Sequence, residues 1–380
     1  MLDWAISLES KSAVPTAEAT FGESASVSVP LLYSFPPLRD DRWDAFVERH
    51  PRASVFHTSA WLEALHRTYG YASIAYTTSS RGESLDNAIV FCRIESWLTG
   101  RRLVSLPFSD HCEPLMDAEL VTEVLGPLVA REVGENRWRY VEVRPLGPIP
   151  VEGPFSQSNI EYAFHELDLT PSLDAIFHKF HKSSIQRKIK RAEREGLRYC
   201  EGSNPELLDD FYTLFELTRR RHKLPPQPRK WFDNLARCFG PALKVRVAYN
   251  ANQAVAAMIT IRHRKTLVYK YGCSDSRFNN LGGMHLLYWQ AIQDGKNEGL
   301  HSFDLGRTDR DQHGLITFKN RWGAKQSLLT YWRCSAHETE THFFDLAAGN
   351  LTALAAQSLL SFFPAKIVSR IGKLLYGHVG

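Results

Sequence analysis

The sequence has few of the features that mark metal sites, secretion or membrane insertion. Its six cysteines form no CxxC pair, which excludes the common zinc and thioredoxin-like motifs. No apolar run reaches about 18 residues, so no spanning helix is expected. The N-terminus carries Asp3 and Glu9 and lacks a basic segment before an apolar one, so we expect no signal peptide. These absences favour a cytoplasmic protein with reduced thiols and no metal.

An excess of charge of either sign is also lacking. Lys plus Arg number 46 and Asp plus Glu 42, so the net charge of +4 is too small to indicate a nucleic-acid binder. Hydrophobic residues make up 43% of the chain, which is ordinary globular composition. Because 380 residues exceed one typical core, two domains are expected.

The order of predicted helices and strands repeats along the chain. Each half shows helices, successive strands, a helix and further strands, which predicts an α+β fold with mainly antiparallel twisted sheets flanked by helices. Helices are predicted over Ser59–Tyr69 and Pro205–His222 and a short strand over Ser302–Leu305. The proline-rich segment Pro145–Pro154 predicts the boundary between the halves. We therefore expect a flexible lead at 1–30, domains at 31–152 and 153–338, and a helical tail at 339–380.

A strongly basic stretch opens the second half. Lys179–Arg198 contains eight cations and two glutamates, with an apolar stripe formed by Ile185, Ile189 and Ala192. An anionic partner would relieve the repulsion among the cations, and phosphates, RNA or an anionic lipid surface would each do so. A solvated helix face is the alternative.

Two further segments suggest anion binding. Thr218–Lys223 places four cations at a helix C-terminus, more than dipole complementation needs. Arg277–Met284 has a glycine pair before a helix, where free backbone N–H groups can bind an anion. A tight strand–helix turn explains the glycine pair equally well.

A fourth segment joins a carboxylate, a guanidinium and a lysine. Asp304 and Arg307 end a predicted strand, and they either pair with each other or face a ligand. Lys319 lies between Phe318 and Trp322, which predicts a partly desolvated ammonium able to hold a phosphate or an oxyanion.

The ordered set of segments resembles the FemAB-like acyltransferases of the GNAT superfamily, with a BioF2-like acetyltransferase domain in the second half. The resemblance covers roughly residues 40–335. It is carried by Phe56–Leu62, Leu103–Asp110, Ser184–Gly196, the F-Y…T-x-x-R helix ending at Arg221, and the F-D-L-G-R and F-K-x-x-x-G segments.

The resemblance implies two tandem GNAT-like domains that transfer an acyl or aminoacyl group to an amine or hydroxyl. Acyl-CoA or aminoacyl-tRNA is the implied cosubstrate, with no tightly bound cofactor. A phosphate-bearing small-molecule or lipid-linked acceptor of the cell envelope or of exopolysaccharide synthesis is the implied partner. The implied catalytic residues are Lys319, Asp304 and Arg307. The implied substrate-binding residues are Arg221, Arg187, Lys188, Arg191, Asp110, Tyr271 and Phe318.

Two alternatives to an enzyme remain open. The basic stretch also suits a non-enzymatic RNA- or anionic-surface-binding protein, and tRNA is a partner under either hypothesis. The tail mixes apolar residues with Lys366, Arg370 and Lys373, so it either lies on the inner face of the membrane or packs back on the second domain. A peripheral membrane or assembly protein without activity is therefore the third hypothesis.

Overall fold

The repeat in element order is present in the structure. The computed structural model describes residues 30–97, 99–149, 156–335 and 375–378. The first half contains β1 (Tyr33–Phe35), α1 (Arg42–Arg49), α2 (Ser59–Tyr69), β2 (Ala72–Thr77), β3 (Ile89–Ser96), β4 (Gly100–Val104), α3 (Ala118–Val129) and β5 (Tyr140–Val143). The connecting elements are β6 (Ser156–Asp168), α4 (Leu173–Lys179) and α5 (Arg187–Arg194). The second half contains β7 (Arg198–Gly202), α6 (Pro205–Arg221), α7 (Arg229–Phe239), β8 (Leu243–Asn250), β9 (Gln253–His263), β10 (Thr266–Ser274), α8 (Gly283–Asn297) and β11 (Ser302–Asp309). It is followed by α9 (His313–Arg321) and β12 (Lys325–Ser335).

The two halves share one sheet. The twelve described strands follow the order β1-β2-β3-β4-β5-β12-β6-β11-β10-β9-β8-β7. Neighbours are antiparallel except for β4 with β5 and β10 with β11, one parallel pair in each half. The last strand, β12, pairs with β5 of the first half and with β6. The α+β class is confirmed, but the two sheets expected from the sequence are continuous. The domain limits stay a prediction.

Helices cover both faces of the sheet. On one face α1, α2, α6 and α7 share a single core drawn from both halves. Within it Trp61 of α2 meets Trp231 of α7 edge to face, with ring centroids 5.4 Å apart, and Asn234 Nδ2 donates to Thr68 Oγ1 at 2.9 Å. On the other face α3 covers the first half, and α4, α5 and α8 cover the second. The shared core fixes the halves relative to each other.

Local chemistry explains the helix ends. The Thr58 side chain accepts a hydrogen bond from the Trp61 backbone N–H and so caps α2, which ends at Gly70 in the left-handed conformation. Asn204 caps α6 in the same way, with Pro205 at the first helical position. Both helices lie within one residue of the bounds that the sequence predicts.

Several expectations about elements need correction. Sequence patterns predict no helix around Lys319 and no strand over Arg198–Gly202, yet these residues lie in α9 and β7. β11 continues four residues beyond the predicted strand, to Asp309. The flexible lead lies outside the described residues apart from Pro30, as does the tail apart from 375–378. None of the helices within the described ranges is long and apolar enough to cross a membrane.

Candidate active site

The two parallel strands of the second half separate along their length. The ladder between β10 and β11 extends only from Thr266–Ser302 to Val268–Asp304. Further along, β10 pairs with β9 and β11 with β6, and each strand carries a bulge, at Lys270 and at Leu305–Gly306. Bulges redirect side chains, and the carboxyl ends of parallel strands are common places for sites. Chemistry-bearing side chains from both halves meet here.

Lys319 reaches this opening from α9. Its Nζ donates to the carbonyl oxygens of Gly306 and Arg307 at 2.9 and 3.2 Å, and the residue is only 1% exposed. Burial lowers the pKa of Lys319 to about 8, although the carboxylates of Asp110 and Asp304 act in the opposite direction. The desolvated ammonium that the aromatic neighbours predict is therefore present.

Asp110 enters the opening from the first half, on the loop after β4. Its Oδ2 accepts a hydrogen bond from Lys270 Nζ at 2.7 Å, and both side chains are largely buried. Burial alone would raise the pKa of Asp110, but Lys270, followed by Arg307 and Lys319, brings it below its ordinary value. Lys270 Nζ also lies 5.4 Å from the centre of the Phe56 ring, so its charge has a cation–π partner.

His111, the next residue on that loop, binds Asp304. Its Nε2 lies 3.0 Å from Asp304 Oδ2, while Asp304 Oδ1 accepts the Gly306 N–H at 2.7 Å. The imidazole is wedged edge-to-face between Phe56 and Phe164. Its Nδ1 has no hydrogen-bond partner among the described residues. A buried polar atom without a partner costs about 1–3 kcal/mol, so this nitrogen calls for an explanation.

Arg307 lies beside the opening and does not pair with Asp304. Its guanidinium stacks 4.2 Å above the Tyr162 ring and pairs with Asp309 at 3.3 Å. Burial by itself would lower the pKa of Arg307, but nearby Tyr331 and Tyr162, with Asp110 and Asp309, raise it. The sequence-based alternative of a mutual Asp304–Arg307 pair is therefore wrong.

Two of the predicted substrate-binding aromatics lie on opposite faces of the sheet. The Tyr271 hydroxyl accepts a hydrogen bond from Trp231 Nε1 at 2.8 Å on the face of the shared core. Phe318 packs edge to face on Tyr288 at 5.4 Å on the other face. Tyr271 also borders Lys270, whose Nζ lies 5.5 Å from its ring centre, whereas Phe318 fills the core next to Lys319.

Arg221 lies apart from the Lys319 cluster. At the end of α6 its Nη1 donates to the Ser274 carbonyl at 3.3 Å, while Thr218 Oγ1 accepts the Ser274 N–H at 3.0 Å. α6 and α9 cover opposite faces of the sheet, and no direct contact joins Arg221 to Lys319 within the described ranges. A ligand touching both cations has to span the carboxyl end of β10.

The basic helix α5 forms a third group, at the N-terminus of α8. Its apolar stripe is buried as predicted. A Cβ on Gly282, whose φ is +86°, would lie 2.6 Å from the Lys188 carbonyl oxygen, so α5 presses directly on this turn. Arg191 pairs with Glu195, but Arg187 and Lys188 have no carboxylate within 4 Å among the described side chains. Arg277 is neutralised by Asp275.

A cavity at the other end of β10 does not compete with this opening. It is lined by Lys244, Arg246 and Glu298, among others. Lys244 pairs with Glu298 at 3.2 Å, and Arg246 pairs with Glu201 at 2.7 Å. Its charges are matched within the protein, which suits a structural network. No group of three or more potential metal ligands occurs within the described residues.

Lys270 and His111 are site residues that the sequence did not predict. Lys270 stands between two tyrosines in an apolar strand, a pattern that signals a buried cation. His111 follows Asp110 directly, but its partner Asp304 is 193 positions away, and no local pattern predicts that contact.

Comparisons with known proteins identify the type of domain. Residues 179–320 match the family model described as an acetyltransferase (GNAT) domain. That range contains Lys319, Asp304, Arg307 and Arg221 but not Asp110 or His111.

The chain is also similar to a curated protein and to solved structures. The UDP-N-acetylmuramoylpentapeptide-lysine N(6)-alanyltransferase of Weissella viridescens is 24% identical over 159 residues, which are 40% of this chain and 47% of that protein. The chain thus spans about half the length of this relative. The crystal structure of FemX shares the fold with a TM-score of 0.58 at 13% identity, covering 76% of this chain and 94% of the other. The C-terminal domain of a protein described as a lysylphosphatidylglycerol synthetase from Agrobacterium fabrum gives a TM-score of 0.51 at 14% identity, covering 86% and 95%.

Proposed function

We propose that this chain, which is similar to the FemAB-like proteins of the GNAT superfamily, catalyses acyl or aminoacyl transfer. The acyl group moves from acyl-CoA or aminoacyl-tRNA to an amine of a phosphate-bearing cell-envelope precursor. The observation that carries the proposal is Lys319, a buried ammonium fixed between two carbonyl groups where β10 and β11 separate.

Lys319 is suited to stabilise a developing oxyanion. An ammonium has three donors, and two are used on the carbonyl oxygens of Gly306 and Arg307, which leaves one for a substrate. A fixed donor in a desolvated site is worth far more than one in water, and removing such a donor typically costs 10²–10³ in rate. Transfer then needs only the positioning of two substrates, with no covalent enzyme intermediate.

Cations outside this centre support a phosphate-bearing substrate. Arg221 is exposed at the end of α6, and Arg187 and Lys188 have no acidic partner within the part of the chain described. The Weissella relative is named for an acceptor that contains uridine diphosphate and a lysine amine. By analogy the acceptor here carries phosphate and an amine. Both donor types are cytoplasmic, so we place the reaction in the cytoplasm.

The direct test is acyl transfer by the purified full chain. Labelled acetyl-CoA and labelled alanyl-tRNA are offered in turn with UDP-N-acetylmuramoyl-pentapeptide containing lysine, and the product is followed by mass spectrometry. We expect transfer from one donor, lowered at least about 100-fold in Lys319→Met. Lys325→Met, at an exposed position of β12, is the matched control and should keep the wild-type rate. No transfer from either donor, or an unimpaired Lys319→Met variant, would contradict the proposal.

RNA binding without catalysis is the second candidate, because Arg187 and Lys188 on α5 have no acidic partner within the described ranges. It predicts an RNA affinity that falls steeply with added salt and is unchanged in Lys319→Met. Such affinity with no acyl transfer would favour this candidate.

A further inference from the structure

We propose that His111 accepts the proton that the attacking amine loses during acyl transfer, and that Asp304 holds the imidazole in the required tautomer. The inference rests on the proposed acyl transfer and assigns a role to a residue outside the matched domain.

The hydrogen bonds of Asp304 determine where the imidazole proton lies. Its Oδ1 accepts the Gly306 N–H at 2.7 Å, and its Oδ2 lies 3.0 Å from His111 Nε2. A carboxylate accepts hydrogen bonds, so Nε2 is the nitrogen that carries the hydrogen, and in a neutral imidazole Nδ1 is then the nitrogen with the free lone pair. Asp304 is 3% exposed, and its carboxylate would compensate the positive charge of an imidazolium formed beside it.

In this arrangement the buried Nδ1 atom of His111 is the nitrogen left to act as the base. It has no hydrogen-bond partner within the described part of the chain. The neighbouring His57 differs, because its Nδ1 bonds the Ser54 N–H at 3.0 Å and its Nε2 lies 2.9 Å from the Glu113 carbonyl oxygen. His57 is therefore held at both nitrogens, whereas His111 is held at one.

His165, on β6, offers a comparison. Its Nδ1 also lacks a partner among the described residues, but its Nε2 faces the Asn320 side-chain oxygen at 3.0 Å, not a carboxylate. Burial and the charge of Lys319 lower the pKa of His165 to about 4. It remains neutral near pH 7 and serves as the matched control.

The loop that carries His111 is held under backbone strain. Phe108 has a φ of +60°, a conformation that costs an aromatic residue energy, and it is fixed by ring contacts with Tyr69 and Trp231. The loop brings Asp110 to Lys270 and His111 to Asp304. Strain of this kind persists where the surroundings over-determine the conformation, and it is frequent at active sites.

In this step one proton passes from the amine to the leaving group by way of His111. The neutral amine nitrogen attacks the carbonyl carbon of the acyl ester or thioester, and the carbonyl electron pair moves to oxygen next to Lys319. His111 Nδ1 takes a proton from the nitrogen. When the oxyanion collapses, the C–O or C–S bond breaks, and the leaving alkoxide or thiolate takes the proton from the imidazolium. Nothing is oxidised or reduced.

The test compares His111→Ala with His165→Ala in the full chain, using whichever donor the wild type accepts. We expect the kcat of His111→Ala to fall about 100-fold or more, with KM within about twofold. Free imidazole should restore part of that rate, which a structural role of His111 would not explain. His165→Ala should keep the wild-type kcat and show no response to imidazole. If His111→Ala does not fold, His111→Gln replaces it for the rate measurement.

A second readout is independent of substrate. Nitrogen-15 NMR of labelled histidine should show His111 with an unprotonated Nδ1 in the wild type and a changed tautomer in Asp304→Asn. The inference is overturned if a folded His111 variant of an active enzyme keeps its rate, or if the NMR shows a protonated Nδ1. A wild type that transfers nothing contradicts the proposed function instead, and the NMR result still decides the tautomer.

Discussion

Asp110 Oδ2 and Lys270 Nζ lie 2.7 Å apart, and this ion pair joins a loop of the first half to a bulge in β10 of the second. Lys270 keeps only 6% of its side-chain surface and Asp110 14%. The pair is therefore desolvated, and it stabilises the fold only when both members are present. It connects the two halves at the candidate active site itself.

Removing one member of this pair should destabilise the protein strongly. Lys270→Met keeps much of the volume but leaves Asp110 charged and buried, so we expect a loss of about 3–5 kcal/mol in the free energy of unfolding. Urea denaturation measures the loss. Adding Asp110→Asn should recover much of it, because the uncompensated charge is gone.

An exposed pair provides the control for this measurement. Arg67 and Glu63 pair at 2.6 Å on α2 with much of both side chains in solvent. Arg67→Met should cost less than about 1 kcal/mol. Equal losses in Arg67→Met and Lys270→Met would show that burial does not determine how much the Asp110–Lys270 pair contributes to stability.

Lys319 should make stability depend on alkaline pH. Its pKa falls from the ordinary 10.5 to about 8 because the site is buried, so between these values the unfolded chain binds more protons than the folded one. Stability relative to Lys319→Met should therefore rise from pH 8 to 10.5. The difference between the two pKa values corresponds to a gain of about 3 kcal/mol in the free energy of unfolding, at about 1.36 kcal/mol per pH unit. Urea unfolding of both proteins across this range tests the sign, and a falling or flat difference would contradict it.

Sequence patterns predicted the elements whose signals are local. α2 and α6 carry their own caps and apolar stripes, so their ends follow from a few adjacent residues. α9 was missed because few of its side chains are buried and its polar residues give no clear stripe. The position of β12 between β5 and β6 depends on pairing with strands more than 150 residues away, which periodicity does not encode.

The candidate site shows the same limit. The aromatic neighbours of Lys319 predicted its desolvation, and the structure confirms that feature. The partners of Asp304 and Arg307 were not predictable. Asp304 binds a histidine from the other half, and Arg307 stacks on Tyr162 of β6. Convergence of Arg221 with Lys319 on one ligand stays a prediction.

Arg221 should affect acceptor binding more than chemistry. A surface cation on the phosphate group contributes equally before and during reaction, so Arg221→Ala should raise the KM for the nucleotide-linked acceptor about 10-fold with little change in kcat. Arg220→Ala, the adjacent exposed cation, is the control and should stay within about twofold. Steady-state kinetics with the active donor provide the measurement. A drop in kcat alone in Arg221→Ala would place this residue in a different role.

Gly306 links the bulge of β11 to both buried pairs. Its φ is +71°, and a Cβ there would lie 3.3 Å from Asp110 Cγ. Gly70 has a similar φ of +75° with nothing within 4 Å of its Cβ position, so it isolates the backbone cost. Gly70→Ala should lose about 1–2 kcal/mol from left-handed strain alone. Gly306→Ala should lose more, because the methyl group also displaces Asp110 from Lys270.

Thermal unfolding of the two variants measures the difference, and acyl transfer should fall only in Gly306→Ala. Equal unfolding losses with intact transfer would mean that Asp110 moves aside without cost, and the close fit of this loop would then not be needed for the reaction.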